Sequence, residues 1–242
     1  MPVKFVVFSQ ARSGTSLLVE TLNNHHDIYC HGEIFHDVTE WHIRREYIAE
    51  FGLLDRQSSQ IEFCYSVLSF TNGRAAVGFK MWLDQAPDAG AVLLRDKNVK
   101  KIILTRENRL AQFSSGELAR ETGVWNLTAR KDGKLQRVDN PPTIGFCKPV
   151  FRKFVEYQDN FFRTYENAAR GEILRLKYVD VARLEFGKIY DFLEVEPVTP
   201  EPAKQKLYSS DILSRFHPSH KDEILGVLAA MGKPEWVVEK ID

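Results

Sequence analysis

The sequence predicts an α/β fold: a single domain, residues 1–242, built on a P-loop-type parallel sheet flanked by helices, with helical and loop covering segments at about 36–70 and 123–149. Three observations lead there. Short β-branched or aromatic runs alternate with longer stretches of helical period, the pattern of a parallel sheet with crossover helices. The first such run passes through a loop of Gly and hydroxyl residues straight into a helix. The 242 residues, 43% hydrophobic and 12% aromatic, suffice for one sizeable core, since a chain of this size buries roughly 70–75% of its unfolded surface.

Residues 3–8 (VKFVVF) read as a buried first strand, and 15–24 (TSLLVETLNN) as the helix after it, with Leu18 and Leu22 one turn apart. Residues 39–70 read as mostly helical, a small covering layer. Strands follow at 75–83 (AAVGFKMWL) and 100–105 (KKIILT), then a helix at 108–121 (NRLAQFSSGELARE). The segment 123–149 holds Gly133, Asn140-Pro141-Pro142, Gly145 and Pro149 without a sustained apolar period, so it reads as a long surface excursion. At 150–169, Phe151, Phe154, Val155, Phe161, Phe162 and Tyr165 recur at helical spacing as a core-facing stripe. A fourth strand at 172–178 (EILRLKY) and helices near 183–193 and 220–231 complete the chain.

Charge narrows the partners. The 33 Lys and Arg balance 33 Asp and Glu, whereas a polyanion binder needs a basic surplus. Nucleic acid and anionic membrane are therefore poor first candidates for a partner. The balance is uneven along the chain: residues 1–99 carry 9 basic and 12 acidic side chains, 100–152 carry 11 and 5, and 153–242 carry 13 and 16. One basic block thus sits in an otherwise acidic protein, as a small, multiply charged anion would require. Cys30, Cys64 and Cys147 form no CxxC or Cys/His pattern and read as free thiols of a reducing compartment. The N-terminal run MPVKFVVFSQARSG is too briefly apolar for a signal or spanning segment. A cytoplasmic protein with no membrane span is the expectation; the sequence sets no oligomeric state.

The most informative stretch is Phe8-Ser9-Gln10-Ala11-Arg12-Ser13-Gly14-Thr15-Ser16, between the first strand and the first helix. N–H groups of a first helical turn lack intrahelical partners and the helix dipole favours negative charge there, so such a junction cradles phosphate-like groups. Thr15 and Ser16 add donors and Arg12 adds a cation; the plainer alternative is an ordinary capped helix behind a turn. Against the nucleotide-triphosphate pattern GxxxxGK[ST], Gly14 and Ser16 fit, but Ser9 replaces the first Gly and Thr15 stands where a Lys must reach the phosphates. The strand IILT ends in Arg106 rather than in an Asp for Mg²⁺. A P-loop kinase or NTPase is therefore the second reading.

Arg12-Ser13-Gly14-Thr15-Ser16 resembles the 5′-phosphosulfate loop of sulfotransferases that use 3′-phosphoadenosine-5′-phosphosulfate (PAPS). In ILTRENRLAQFS, Arg106 at a strand end and Ser114 eight positions on resemble that family's 3′-phosphate motif. Physical chemistry is compatible: an Arg at a strand's C-terminal end and a Ser two turns away can both reach an anion over a sheet edge. The resemblance covers about 1–35, 75–120 and 172–180, and is closest to bacterial carbohydrate-type members. It implies in-line transfer of the sulfuryl group of PAPS to a hydroxyl, release of 3′-phosphoadenosine-5′-phosphate (PAP), and no metal. Arg12 and the loop through Ser16 would hold the leaving phosphate.

Many cytosolic members carry a base His two residues after a Lys. Here Phe79-Lys80-Met81-Trp82 puts Trp82 in that place. The segment His31-Gly32-Glu33-Ile34-Phe35 resembles the one in which carbohydrate-type members carry a Glu. The resemblance thus implies Glu33 as general base, with partial burial expected to raise its pKa above about 4.3; His31 is the alternative base. Lys80 either polarises the sulfonate or is a rim charge. Tyr178 matches a Tyr near adenine, or is a buried strand residue. His25, His26, His31 and His36 cluster without a zinc template. The acceptor is expected to be a carbohydrate, glycolipid or small natural-product hydroxyl; Trp41, Tyr47, Trp82 and Trp125 either stack on it or belong to the core, and Trp125 is the first to test. A non-catalytic PAP-binding relative is the third reading.

Overall fold

The computed structural model describes residues 1–37, 42–52, 56, 59–125, 141–201 and 209–241. The strands are β1 (Val3–Phe8), β2 (Ile28–Glu33), β3 (Ala76–Met81), β4 (Lys100–Thr105) and β5 (Ile173–Lys177). The helices are α1 (Thr15–Asn23), α2 (Arg45–Phe51), α3 (Gln60–Ser69), α4 (Pro87–Arg95), α5 (Arg109–Thr122), α6 (Lys148–Ala168), α7 (Tyr178–Ala182), α8 (Gly187–Leu193) and α9 (Lys221–Ala230). Contacts divide the chain into two compact units, Met1–Thr105 with Asn160–Ala203, and Arg106–Asp159 with Lys204–Asp242.

The first unit is a parallel sheet in the order β2-β3-β1-β4-β5. Alternation along the strands divides its core. Val6, Phe8, Phe79, Met81 and Ile103 face one way, with Cys64, Val67 and Leu68 of α3 and Leu93 and Leu94 of α4. Phe5, Val7, Ile102 and Leu104 face the other, with Leu18 and Leu22 of α1 and Ile189, Tyr190 and Leu193 of α8. A sheet covered on both faces explains why β1 and β4 read as continuous apolar runs. Each fully buried Phe or Leu contributes roughly 1.5–3 kcal/mol. Gly78 is required by β1: a Cβ there would lie 2.5 Å from the Phe5 carbonyl oxygen.

The sheet has five strands where four were expected. The additional strand, β2, lies at the edge, and His31, Gly32 and Glu33 interrupt the apolar run that would have marked it. At the far end Tyr178 is the first residue of α7 and not part of the strand, which ends at Lys177. The helix expected at 183–193 is α8 alone, preceded by Leu184 in a left-handed conformation (φ 60°).

The second unit packs Leu110, Phe113 and Leu118 of α5, Phe151 and Val155 of α6, and Ile224, Val227 and Leu228 of α9 around Phe146, Ile212, Phe216 and Trp236. The α6 stripe is core, as its period implied. Within the expected covering segments α2 and α3 are helical, while residues 126–140 of the 123–149 excursion and Trp41 lie outside the described residues. No helix among the described residues is long and apolar enough to cross a membrane.

Candidate functional site

In the first unit, β1 delivers the chain into the Ser9–Gly14 loop, which buried hydrogen bonds hold in place. Ser9 Oγ donates to the Leu104 carbonyl oxygen of β4 at 2.6 Å. The Tyr165 hydroxyl donates to the Ser9 carbonyl oxygen at 2.9 Å and accepts from Gln10 Nε2 at 3.1 Å and the Leu83 N–H at 3.3 Å. The loop then takes left-handed conformations at Arg12 (φ 62°) and Gly14 (φ 89°). Gly14 is the N-cap of α1 and supplies no side-chain cap, so the first-turn N–H groups have no intrahelical partner. A Cβ on Gly14 would lie 2.5 Å from the Tyr178 ring, which places Tyr178 against the loop's backbone. The arrangement combines donors, a positive helix end and a cation in the loop, and it fits a phosphate or sulfonate oxygen.

A buried cation reaches the helix start. Lys80 of β3 is buried, with Nζ 3.4 Å from Thr15 Oγ1 and 3.3 Å from Ser16 Oγ. Of the two roles left open for Lys80, the rim charge is ruled out by its 5% exposure. Its Nζ also lies 2.8 Å from Glu33 Oε1. The other carboxylate oxygen, Oε2, accepts from Gln85 Nε2 at 2.9 Å, and Gln85 Oε1 accepts from the Trp82 N–H at 3.1 Å. Sheet register explains the pairing: His31 pairs with Phe79 and Glu33 with Lys80, so Gly32 is the extra residue of a bulge that turns Glu33 toward its partner. His42 backs the bulge, its carbonyl oxygen accepting from the Gly32 N–H at 2.6 Å and its Nδ1 from the Glu33 N–H at 3.2 Å.

This setting reverses the expected titration of Glu33. Burial pushes its pKa up, but the charge and hydrogen bond of Lys80, the nearby His42 and the Gln85 hydrogen bond together hold it below the usual carboxylate value. Glu33 is therefore ionised across the neutral range. His31, the alternative base, is fully buried between Tyr29 and Tyr47, and its Nδ1 accepts from the Arg44 N–H. Burial and the Arg44 charge lower its pKa to about 3, so its ring is neutral near pH 7. His25, His26 and Asp27 are the one group among the described residues whose ligand atoms lie within 4.8 Å of one another. Both ring nitrogens of His25 are engaged, however, with the Glu196 carbonyl oxygen and the Asp27 N–H.

The second unit holds the other sequence motif. Arg106, directly after β4, is buried against Glu239, with Nε 2.7 Å from Oε1 and Nη2 2.5 Å from Oε2. Ser114 Oγ donates to the Ala111 carbonyl oxygen at 3.2 Å and accepts from Arg215 Nη1 at 2.9 Å. Among the described residues of the basic block, further cations besides Arg106 pair within the protein: Lys100 with Glu172 and Glu194, Arg109 with Asp159, and Arg120 with Glu117. Of the aromatics, Tyr47 is core and Trp125 is exposed; the Trp82 indole N–H is buried without a hydrogen-bond partner. Sequence reasoning missed Gln85, Arg215 and Glu239, none of which carries a local pattern, and the hydroxyl contacts of Tyr165.

A parallel sheet whose central strand runs through a short loop into a helix defines the fold as a P-loop-type α/β one. Among solved structures, the chain is similar to the crystal structure of a sulfotransferase from Alicyclobacillus acidocaldarius, at 15% identity and a TM-score of 0.53, over 97% of this chain and 95% of that one. A mouse sulfotransferase, SULT7A1 complexed with PAP, aligns at 12% identity and a TM-score of 0.49, over 94% of this chain and 83% of that one. No family model matches the chain, and no curated protein matches it by sequence. The first likeness shows a shared fold, the sulfotransferase-type sheet flanked by helices.

Proposed function

We propose that this protein is a sulfotransferase that moves the sulfuryl group of PAPS in line to a hydroxyl of a carbohydrate, glycolipid or small natural-product acceptor and releases PAP. The observation that carries the reading is the meeting of two elements at the start of α1: the Arg12–Ser16 loop and the buried Lys80–Glu33 pair. PAPS supplies a sulfur–oxygen bond whose leaving group is a phosphate, so the protein's task is positioning and charge stabilisation.

The loop N–H groups from Ser13 to Ser16, the Arg12 guanidinium and the Lys80 ammonium hold the negative charge that develops on the leaving 5′-phosphate. Glu33, kept ionised by Lys80, accepts the proton of the attacking hydroxyl. As that proton arrives, the Lys80 charge loses its carboxylate partner and is released toward the departing phosphate. Arg106 and Ser114 serve the 3′-phosphate, and Tyr178 the nucleoside end. The unpartnered Trp82 N–H offers a donor to an acceptor oxygen. The scheme requires no metal ion.

Replacing Arg106 tests the donor assignment. Arg106→Ala is expected to weaken PAP binding by at least about tenfold while changing adenosine-5′-phosphosulfate binding, which lacks the 3′-phosphate, by less than about twofold. Equal losses for the two nucleotides contradict the assignment.

A further inference from the structure

We infer that Glu239 is a specificity-determining residue: its carboxylate occupies the fork of Arg106 as an internal stand-in for the donor's 3′-phosphate, and so sets the preference between nucleotides with and without that group. The inference rests on the reading of Arg106 as the 3′-phosphate ligand. Its structural basis is independent of that reading. The two carboxylate oxygens lie 2.7 and 2.5 Å from Nε and Nη2, the side-on fork by which guanidinium binds a carboxylate or a phosphate alike. Both side chains are almost fully buried, at 7% and 4% exposure, so the contact is not a loose surface pair.

The backbone around Glu239 is fixed without help from its carboxylate. The Glu239 N–H donates to the Ser210 carbonyl oxygen at 2.9 Å, Val238 bridges Asp211, and Asn108 Nδ2 donates to the carbonyl oxygens of Trp236 at 3.0 Å and Val238 at 3.2 Å. The same Asn108 caps α5 through the Ala111 N–H at 2.9 Å. Rotation of the Glu239 side chain withdraws its carboxylate from Nε and Nη2 while the segment stays anchored. A phosphate on the same edge of Arg106 and the Glu239 carboxylate exclude each other, since both need Nε and Nη2 and both are anionic. A nucleotide without the 3′-phosphate leaves the pair intact and gains nothing from its removal. Were the phosphate to use the opposite edge of the guanidinium, Glu239 would instead orient Arg106, and its loss would weaken binding.

The sign is measurable by titration calorimetry with PAP and with adenosine 5′-monophosphate on the full chain. Glu239→Gln is expected to bind PAP about tenfold more tightly than the parent and to bind adenosine 5′-monophosphate within about twofold of it. PAP binding that is weaker or unchanged, with adenosine 5′-monophosphate unaffected, overturns the inference and leaves the donor reading standing. Failure of both nucleotides to bind the parent chain refutes the donor reading, and this inference with it. Should Glu239→Gln not fold, Glu239→Asp withdraws the carboxylate by one methylene. Its PAP-induced rise in melting temperature, relative to that with adenosine 5′-monophosphate, is then expected to exceed the parent's, and an equal or smaller rise overturns the inference.

Discussion

Among the described residues each unit holds one deeply buried ion pair, and the two are built differently. In the first unit the Lys80 ammonium divides its donors among the Glu33 carboxylate and the hydroxyls of Thr15 and Ser16, and Glu33 gives its second oxygen to Gln85. In the second unit both carboxylate oxygens of Glu239 close on one edge of Arg106. A buried pair is weak evidence for stability, because desolvation offsets most of the attraction, and losing one partner strands the other. The contrast therefore concerns use. Lys80–Glu33 is a shared arrangement at a helix start, whereas Arg106–Glu239 is a closed one in which both carboxylate oxygens meet a single guanidinium edge.

The largest expected effect separates chemistry from binding in the first pair. Glu33→Gln should reduce sulfuryl transfer by about 10²–10⁴-fold while leaving PAP affinity near that of the parent. An active Gln variant, measured in steady-state assays with a competent acceptor, removes Glu33 from the base role. Lys80→Met comes next. It leaves the Glu33 carboxylate buried without its cation and should destabilise the fold by about 3–5 kcal/mol at neutral pH, read from urea denaturation.

The same variant sharpens the comparison through its pH slope. With a folded-state pKa below 4.5, Glu33 contributes stability that is fully present above that value and is lost as pH falls through the folded one. Without Lys80, burial dominates and raises the pKa, so Glu33 costs stability above the unfolded value and the cost fades on acidification. Denaturation of parent and Lys80→Met between pH 3 and pH 6 should converge as pH falls; parallel curves would mean that the pair is not what holds Glu33 ionised.

His31 supplies a separate, monotonic effect. Its folded pKa of about 3 lies well below the ordinary 6.5, so its contribution is complete above pH 6.5 and is lost as pH falls toward 3. The slope approaches about 1.4 kcal/mol per pH unit in mid-window. His31→Gln should flatten that window in a pH series of melting temperatures, and an unchanged slope contradicts the assignment.

Much of this arrangement was legible in the chain, for identifiable reasons. The run VKFVVF, the loop to Ser16 and the helix from Thr15 announce themselves because one strand buried on both faces is followed at once by residues with turn and capping chemistry. Edge strand β2 was hidden because a bulge at Gly32 and the polar pair His31 and Glu33 erase its period. Glu33 stands out in the sequence, but its ionisation does not: burial alone argues for a raised pKa, and the opposing Lys80 is placed by sheet register, 47 positions away in sequence. Arg106 and Ser114 stood out through their spacing, yet their partners Glu239 and Arg215 are more than a hundred positions distant, and no local rule pairs them. Tyr165 was rightly assigned to the core stripe, but its hydroxyl, which ties the loop at Ser9 and Gln10, was invisible to periodicity.

Thermal denaturation with PAP in one arm and ATP plus Mg²⁺ in the other tests the central claim most directly. PAP is expected to raise the melting temperature without metal, ATP plus Mg²⁺ is not, and Arg12→Ala is expected to abolish the PAP effect. Stabilisation by ATP plus Mg²⁺ with no response to PAP would contradict that claim and point to a nucleotide-triphosphate enzyme on the same fold.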